Sequence, residues 1–149
     1  MYKHILVPTD GSTLSLKAVK HAAALAKSMK AKVTALYVIA PYMPPVMGDA
    51  YIPSLHGALA GRFKAASEKA AAKALDHVAG AMAAAKVRCD PVVATNDQPW
   101  AGIIKAARGR KCDVIVMASH GRGGLAGILL GSETTTVLTH SKTPVLVCR

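Results

Sequence analysis

Long apolar runs are missing from this chain, and so are metal-binding spacings. Although 52% of its 149 residues are hydrophobic, no stretch approaches the roughly 18 consecutive apolar residues that cross a bilayer. Aromatic residues supply only 4%; much of the apolar content is alanine, which suits closely packed helices. No C-x-x-C, H-E-x-x-H or finger spacing occurs, which excludes the common zinc sites. The three cysteines, Cys89, Cys112 and Cys148, are scattered and odd in number, so they read as reduced thiols close to strands. The first eight residues lack the apolar core and cleavage site of a signal peptide and read as a strand entered directly. The expectation is a cytoplasmic protein with no membrane partner.

Acidic residues are also scarce: 8 Asp and Glu stand against 19 Lys and Arg, a formal charge of +11. Such an excess suits a polyanion. Yet the bases are spread along helical segments, as in Lys17, Lys20, Lys27 and Lys30, then Lys64, Lys69 and Lys73, with no basic run of five. No aromatic stripe accompanies them. The sequence therefore favours a solvated basic surface over a dedicated nucleic-acid interface.

What is present is a regular alternation of strand and helix patterns. Residues 4–7 form a short apolar strand, stopped by Pro8-Thr9-Asp10-Gly11. Ser12 or Thr13 caps the next helix, in which Ala18, Ala22, Leu25 and Met29 repeat at helical spacing. Residues 32–39 form a second strand. An irregular, proline-rich stretch over 40–56 is long for a loop in a compact domain, as lids and binding segments are. A helix over 58–85 follows, with Leu59, Phe63, Ala66 and Ala70 on one stripe. Val92 and Val93 mark a third strand, placed at an edge by Pro91. Asp97 caps a helix carrying Trp100, Ile103, Ile104 and Ala107, with Trp100 packing on the helix rather than serving as a stacking platform for a ligand. Residues 112–118, a helix over 132–139 and a strand over 144–148 complete the chain. This order predicts one α/β domain over 1–149: a Rossmann-like, five-stranded parallel sheet with helices on both faces. In such sheets ligands bind beyond the carboxyl ends of the strands, where strand order reverses. Pro8-Thr9-Asp10 and the loop after the fourth strand then converge, while Asp113 lies at the opposite end.

That loop carries the strongest signal. The strand runs into Ala118-Ser119-His120-Gly121-Arg122-Gly123-Gly124, and Gly131-Ser132 opens the next helix. Glycines let backbone amides approach an anion, and a helix N-terminus offers unpaired N–H groups and a positive dipole end. Ser132 suits an N-cap whose hydroxyl also reaches phosphate; Arg122 offers a planar fork to phosphate or projects into solvent. His120 either touches phosphate or shapes the loop. Other phosphate chemistries are excluded. There is no G-x-x-x-x-G-K-[ST]. Gly121 to Ala126 fits G-x-G-x-x-[GA], but it follows the fourth strand and no acid lies about 20 residues on to hold a ribose. Kinase signatures are absent. Ser119 stands where a nucleophile elbow would, but Met117 occupies a position that needs glycine.

The pattern Ala118-x-x-Gly121, nine residues, then Gly131-Ser132 resembles the nucleotide-binding motif of the universal stress protein family. The opening Ile5-Leu6-Val7-Pro8-Thr9-Asp10-Gly11-Ser12 and the ending Ser141-Lys142-Thr143-Pro144-Val145-Leu146-Val147 are similar to that family too, so the resemblance covers the whole chain. It implies sheet order 3-2-1-4-5 and, in the branch carrying this motif, ATP binding in a stress-response regulator. Asp10 is then expected near the ribose, Pro8 and Thr9 beside the adenosine, and Val38 against adenine. Gly121, Arg122, Gly131, Ser132 and Glu133 are expected around the phosphates, Glu133 through its backbone, with Mg as an accompanying metal. A homodimer through residues 145–148 is also implied. Ala118 departs from the motif's first glycine. In an ordinary strand conformation its methyl is harmless; at positive φ it would strain the loop. Its place at a strand end favours the harmless case. Asp10, His120 and Arg122 do not define a hydrolytic set, so hydrolysis is expected to be slow or absent. A slow ATPase, a self-phosphorylating enzyme and a nucleotide-free interaction module remain the alternatives.

Overall fold

The computed structural model describes residues 1–44, 53–121 and 130–149. Its elements are β1 (His4–Pro8), α1 (Thr13–Met29), β2 (Lys32–Ile39), α2 (Pro53–Ala84), β3 (Cys89–Thr95), α3 (Pro99–Gly109), β4 (Val114–Ala118), α4 (Ser132–His140) and β5 (Val145–Cys148). The strands form a parallel sheet in the order β3-β2-β1-β4-β5. No described helix is long and apolar enough to cross a membrane.

The sheet is buried on both faces because its strands alternate two apolar sets. Ile5, Val7, Val33, Ala35, Val114 and Val116 face α1 and α2, where Ala18, Ala22, Ala26, Val78 and Met82 meet them. Leu6, Leu36, Ile115 and Met117 face the other way, against Ile103, Ala107 and Val137 of α3 and α4. Alanine at every fourth position of α1, fully buried at 18, 22 and 26, lets that helix lie close on the strands. β3 is an edge strand whose even-numbered residues bond to β2, so the missing amide of Pro91 faces the open edge and breaks no ladder bond.

Three helix-to-strand turns share one construction. Ala31 N donates to Ala26 O while Lys30 N donates to Lys27 O; Val87 and Lys86 repeat this on Met82 and Ala83, and Cys112 and Lys111 on Ala107 and Arg108. These are Schellman motifs, and each puts a lysine at positive φ: 53° at Lys30, 58° at Lys86, 54° at Lys111. A side chain there costs about 1–2 kcal/mol, partly offset because glycine has more freedom to lose on folding. Lys86→Gly is therefore expected to stabilise the fold by about 0.5–1 kcal/mol, measured as a rise in chemical-denaturation midpoint; a fall would show that the lysine gains more at the helix end than it loses in strain.

Three local expectations are corrected. The cap of α3 is Gln98, not Asp97, and it makes no side-chain capping bond; Pro99 opens the helix and Asn96 Oδ1 accepts from Gln98 N at 3.0 Å. The helix expected over 58–85 begins at Pro53, inside the stretch read as irregular. Its buried stripe is Ala71, Ala74, Leu75, Val78 and Met82, while Leu59 and Phe63 are 36% and 39% exposed. The reason is length. A 32-residue helix runs about 48 Å, well beyond strands of four to eight residues, so its first half overhangs the sheet. Residues 45–52 of the proline-rich stretch lie outside the described residues.

At the amino end of the sheet His4 is buried, its Nε2 2.8 Å from Thr34 Oγ1. Burial, helped by the Lys32 charge, lowers the imidazole pKa from 6.5. The folded protein keeps this ring neutral, whereas the unfolded chain protonates near pH 6.5, so its contribution is present above that pH and is lost as pH falls below it. Melting temperature is expected to decline as pH falls below about 6.5, and the decline should shrink in His4→Gln; an unchanged profile would remove His4 as its source. Asp113 acts lower. Its Oδ2 accepts from Lys3 N at 2.6 Å and His4 N at 2.8 Å, and these bonds hold its carboxyl below 3.8.

Candidate functional site

The carboxyl ends of β1 and β4, adjacent strands whose connections leave in opposite directions, open into a cavity of about 660 Å³. Of the residues picked from the sequence, Pro8, Thr9, Asp10, Val38, Ala118, Gly121, Gly131, Ser132 and Glu133 all line it. Arg122 lies outside the described residues, as do Gly123 and Gly124. Trp100 does not line the cavity; it stacks on His140 with ring centroids 5.2 Å apart.

The β1 side is built by a tight turn. Thr9 N donates to Leu36 O at 2.9 Å, and Thr9 Oγ1 receives Gly11 N and lies 2.9 Å from Ser15 Oγ. The Thr9 hydroxyl is thus committed to the turn. Asp10 Oδ1 accepts from Ser12 N at 2.9 Å, and the Ser12 side chain caps α1 through Ser15 N. Gly11 takes φ 78°, a conformation that glycine adopts without strain.

The end of β4 is tied to β5 by one bond and to the start of α4 by two. Ser119 N donates to Cys148 O, Gly131 N donates to Ser119 O, both at 2.8 Å, and Thr134 Oγ1 donates to Ala118 O at 3.0 Å. Ala118 is the last residue of β4 and is not at positive φ, so its methyl sits in ordinary strand geometry. Gly121 lies against Asp10: a Cβ there would stand 2.9 Å from Asp10 Oδ2. This close approach joins the two halves of the cavity mouth, and a side chain would force them apart.

Helix ends decide the electrostatics. The cap of α4 is Gly131 rather than Ser132, which is the first helical residue. Gly131 has no side chain to bond the first-turn amides, so no side-chain cap exists. The neighbouring helices are different. α1 is capped by Ser12, and the first turn of α3 is satisfied by Glu133 Oε2, which accepts from Trp100 N at 2.8 Å. Among the helices whose N-caps are described, α4 alone presents an uncapped N-terminus to the cavity, with the positive dipole end that favours an anion. Beside it, His120 Nε2 is buried with no hydrogen-bond partner among the described residues, while Nδ1 lies 3.0 Å from Ser119 Oγ.

The opposite wall is apolar. Leu36, Val38, Ile103 and Met117 line it. Gly102 shapes this wall: a Cβ would stand 3.0 Å from Val38 Cγ1, so its absence lets α3 lie against the end of β2. The arrangement joins an apolar wall to the uncapped start of α4, where free backbone amides can accept an anion.

The family model described as the universal stress protein family matches residues 1–149. The chain belongs to the universal stress protein family. The universal stress protein MJ0531 of Methanocaldococcus jannaschii is 34% identical, over all of this chain and 83% of that protein. The solved structure of MJ0577 from the same organism superposes with a TM-score of 0.80 at 31% identity, covering 99% of this chain and 95% of the other. A universal stress protein solved in complex with cAMP gives a TM-score of 0.66 at 26% identity, covering 99% and 97%.

In this universal stress protein several site residues escaped the sequence reading. Thr134 and the Glu133 carboxylate were missed because their roles depend on partners 16 and 33 residues away. Gly102 left a signal, since an isolated glycine inside a helical pattern usually has a packing reason. The thiols are inert by comparison: Cys112 and Cys148 are buried, and burial pushes the Cys112 pKa to about 11.

Proposed function

We propose that this protein binds an adenine nucleotide, with ATP as the ligand, and acts as a cytoplasmic stress-response regulator through its bound state. The observation that carries the proposal is the uncapped N-terminus of α4 opening between Gly121 and Gly131 into a cavity with an apolar far wall. Phosphate would lie on the amides of the α4 first turn, where nucleotide charge replaces the missing cap. Adenine would lie in the slot bounded by Val38 and Ile103, and Asp10, between the two ends, would face the ribose. A relative solved with cAMP supports an adenine ligand. The described residues contain no group of three or more His, Cys, Asp or Glu able to hold a metal; Mg would arrive on the phosphates, whose charge it would neutralise.

Hydrolysis is expected to be slow, because positioning water and stabilising transferred charge need groups beyond those gathered here. We also infer a homodimer through β5. Leu146 is 43% exposed on this edge strand, and an open apolar edge needs a cover.

The test of nucleotide binding is direct. Heat-denatured protein is assayed for released adenine nucleotide, and melting is followed with Mg-ATP, ADP, AMP and cAMP. At a hundredfold excess over Kd, a ligand binding only the folded state adds about 2.7 kcal/mol. No released nucleotide and no shift with any of the four would overturn the proposal.

A further inference from the structure

The basic residues that are dispersed in the sequence are collected by the topology. In a parallel sheet every strand begins at one end, and every connecting helix finishes there. The three left-handed lysines, Lys30, Lys86 and Lys111, stand in the turns at that end. Lys3, Lys32 and Arg88 stand at the starts of β1, β2 and β3. Arg110 closes α3 and Lys142 precedes β5. All eight are exposed. Two acids share this end, and both are engaged: Asp90 lies 3.8 Å from Arg88 Nε, and Asp113 accepts the Lys3 and His4 amides.

Cations at helix C-termini have an ordinary explanation in the helix dipole. That explanation does not extend to Lys3, Lys32 and Arg88, which begin strands. These three form a row. His4 is registered with Lys32 and Val33 with Cys89, and Lys32 N donates to Lys3 O while Val33 N donates to Arg88 O. Neighbouring strands lie about 4.8 Å apart, so Lys32 stands beside Arg88 and Lys3 stands one residue ahead of the Lys32 partner His4, which gathers three positive charges along the sheet end. The three lysine turns flank it, each held at a backbone angle where a side chain is strained.

We infer that this face binds the phosphate backbone of duplex nucleic acid without reading its sequence. A line of exposed Lys and Arg supplies the counterion-releasing contacts that such binding needs. Base readout would require groove-entering elements or stacking aromatics, and the aromatic nearest this end, Tyr2, is packed against the core. A membrane surface is less suited, because stable attachment of this kind needs apolar insertion as well as charge. Met1, 98% exposed, is the large apolar residue close to the row. The face lies at the opposite end of the sheet from the nucleotide cavity, so the inference stands independently of the proposed nucleotide binding.

The experiment measures binding of the full chain to a random-sequence 20-base-pair duplex across a salt series. With about five phosphate contacts, affinity is expected to fall about 500-fold between about 50 and 200 mM salt. The triple variant Lys32→Glu, Arg88→Glu, Arg110→Glu is expected to bind at least about tenfold more weakly and to show a salt slope flatter by about 3. A second triple with the same charge change, Lys17→Glu, Lys20→Glu, Lys69→Glu, alters exposed positions on α1 and α2 away from this end and should leave the slope within about one unit. The glutamine version of the first triple, checked by its melting temperature, separates lost contacts from lost folding and is also expected to flatten the slope. Saturating Mg-ATP should leave duplex binding unchanged. Equal losses in the two glutamate triples, tighter binding to phosphatidylserine vesicles than to duplex, displacement of duplex by Mg-ATP, or no salt-dependent duplex binding would each overturn the inference.

Discussion

Replacing Gly131 by valine is expected to abolish nucleotide binding while leaving the protein folded. Gly131 has φ −71° and ψ 160°, an extended conformation open to any L residue, so the backbone itself tolerates the change. A Cβ would stand 3.4 Å from Ser119 O and from His120 Cα, ordinary contact distances, so alanine fits. Valine adds two γ-carbons beyond that Cβ. They must enter the cavity over the first-turn amides of α4 or displace His120. Either outcome removes the close approach that lets backbone N–H groups hold phosphate. A loss of at least about a hundredfold is expected, equivalent to about 2.7 kcal/mol, read by calorimetry with Mg-ATP. Gly131→Ala should fall between valine and the native protein. If valine binds as well as glycine with a normal melting temperature, phosphate does not sit at the start of α4.

Truncating Leu6 to alanine is expected to be among the most costly core changes. Leu6 lies in the central strand with 0% exposure. It belongs to the apolar set that includes Leu36, Ile103, Ile115 and Val137, directly beneath the elements that carry the cavity. A buried Leu→Ala change costs about 3–5 kcal/mol when neighbours on all sides hold the void open. For a chain of this size that is a fall of roughly 6–20 °C in melting temperature. Leu59→Ala, on the overhanging half of α2 and 36% exposed, should cost under about 1 kcal/mol. Equal losses at the two positions would mean that α2 packs differently in solution.

Much of the fold is legible in the sequence because its strands and helices have opposite periodicities. Ile5, Leu6 and Val7 alternate between the two core faces, and Ala18, Ala22 and Ala26 return every fourth residue to one face. Errors fell where local chemistry competes. Asp97 is a good capping residue, yet Pro99 set the start of α3 and Gln98 took the cap. Leu59 and Phe63 have helical spacing, but spacing says nothing about whether a sheet lies beneath that turn of the helix. For the site, Gly121, Gly131 and Ser132 are visible because glycine and helix-start chemistry is local. Thr134, Gly102 and the Glu133 carboxylate act through partners far along the chain, and no local pattern encodes those.

The basic residues show the same division most clearly. In sequence Lys3, Lys32 and Arg88 are far apart and unremarked, and the charge reads as diffuse. Parallel pairing brings them to one end of the sheet, since register is a relation between strands rather than a property of any one. The sequence by itself determined the alternating elements, the two buried sheet faces and the glycine-framed loop after β4, because backbone freedom and hydrophobic period are local. Only the tertiary structure decided which helix end was left uncapped, that Gly121 closes on Asp10, and that half-scattered lysines share one face. Those outcomes depend on what each residue meets across the sheet.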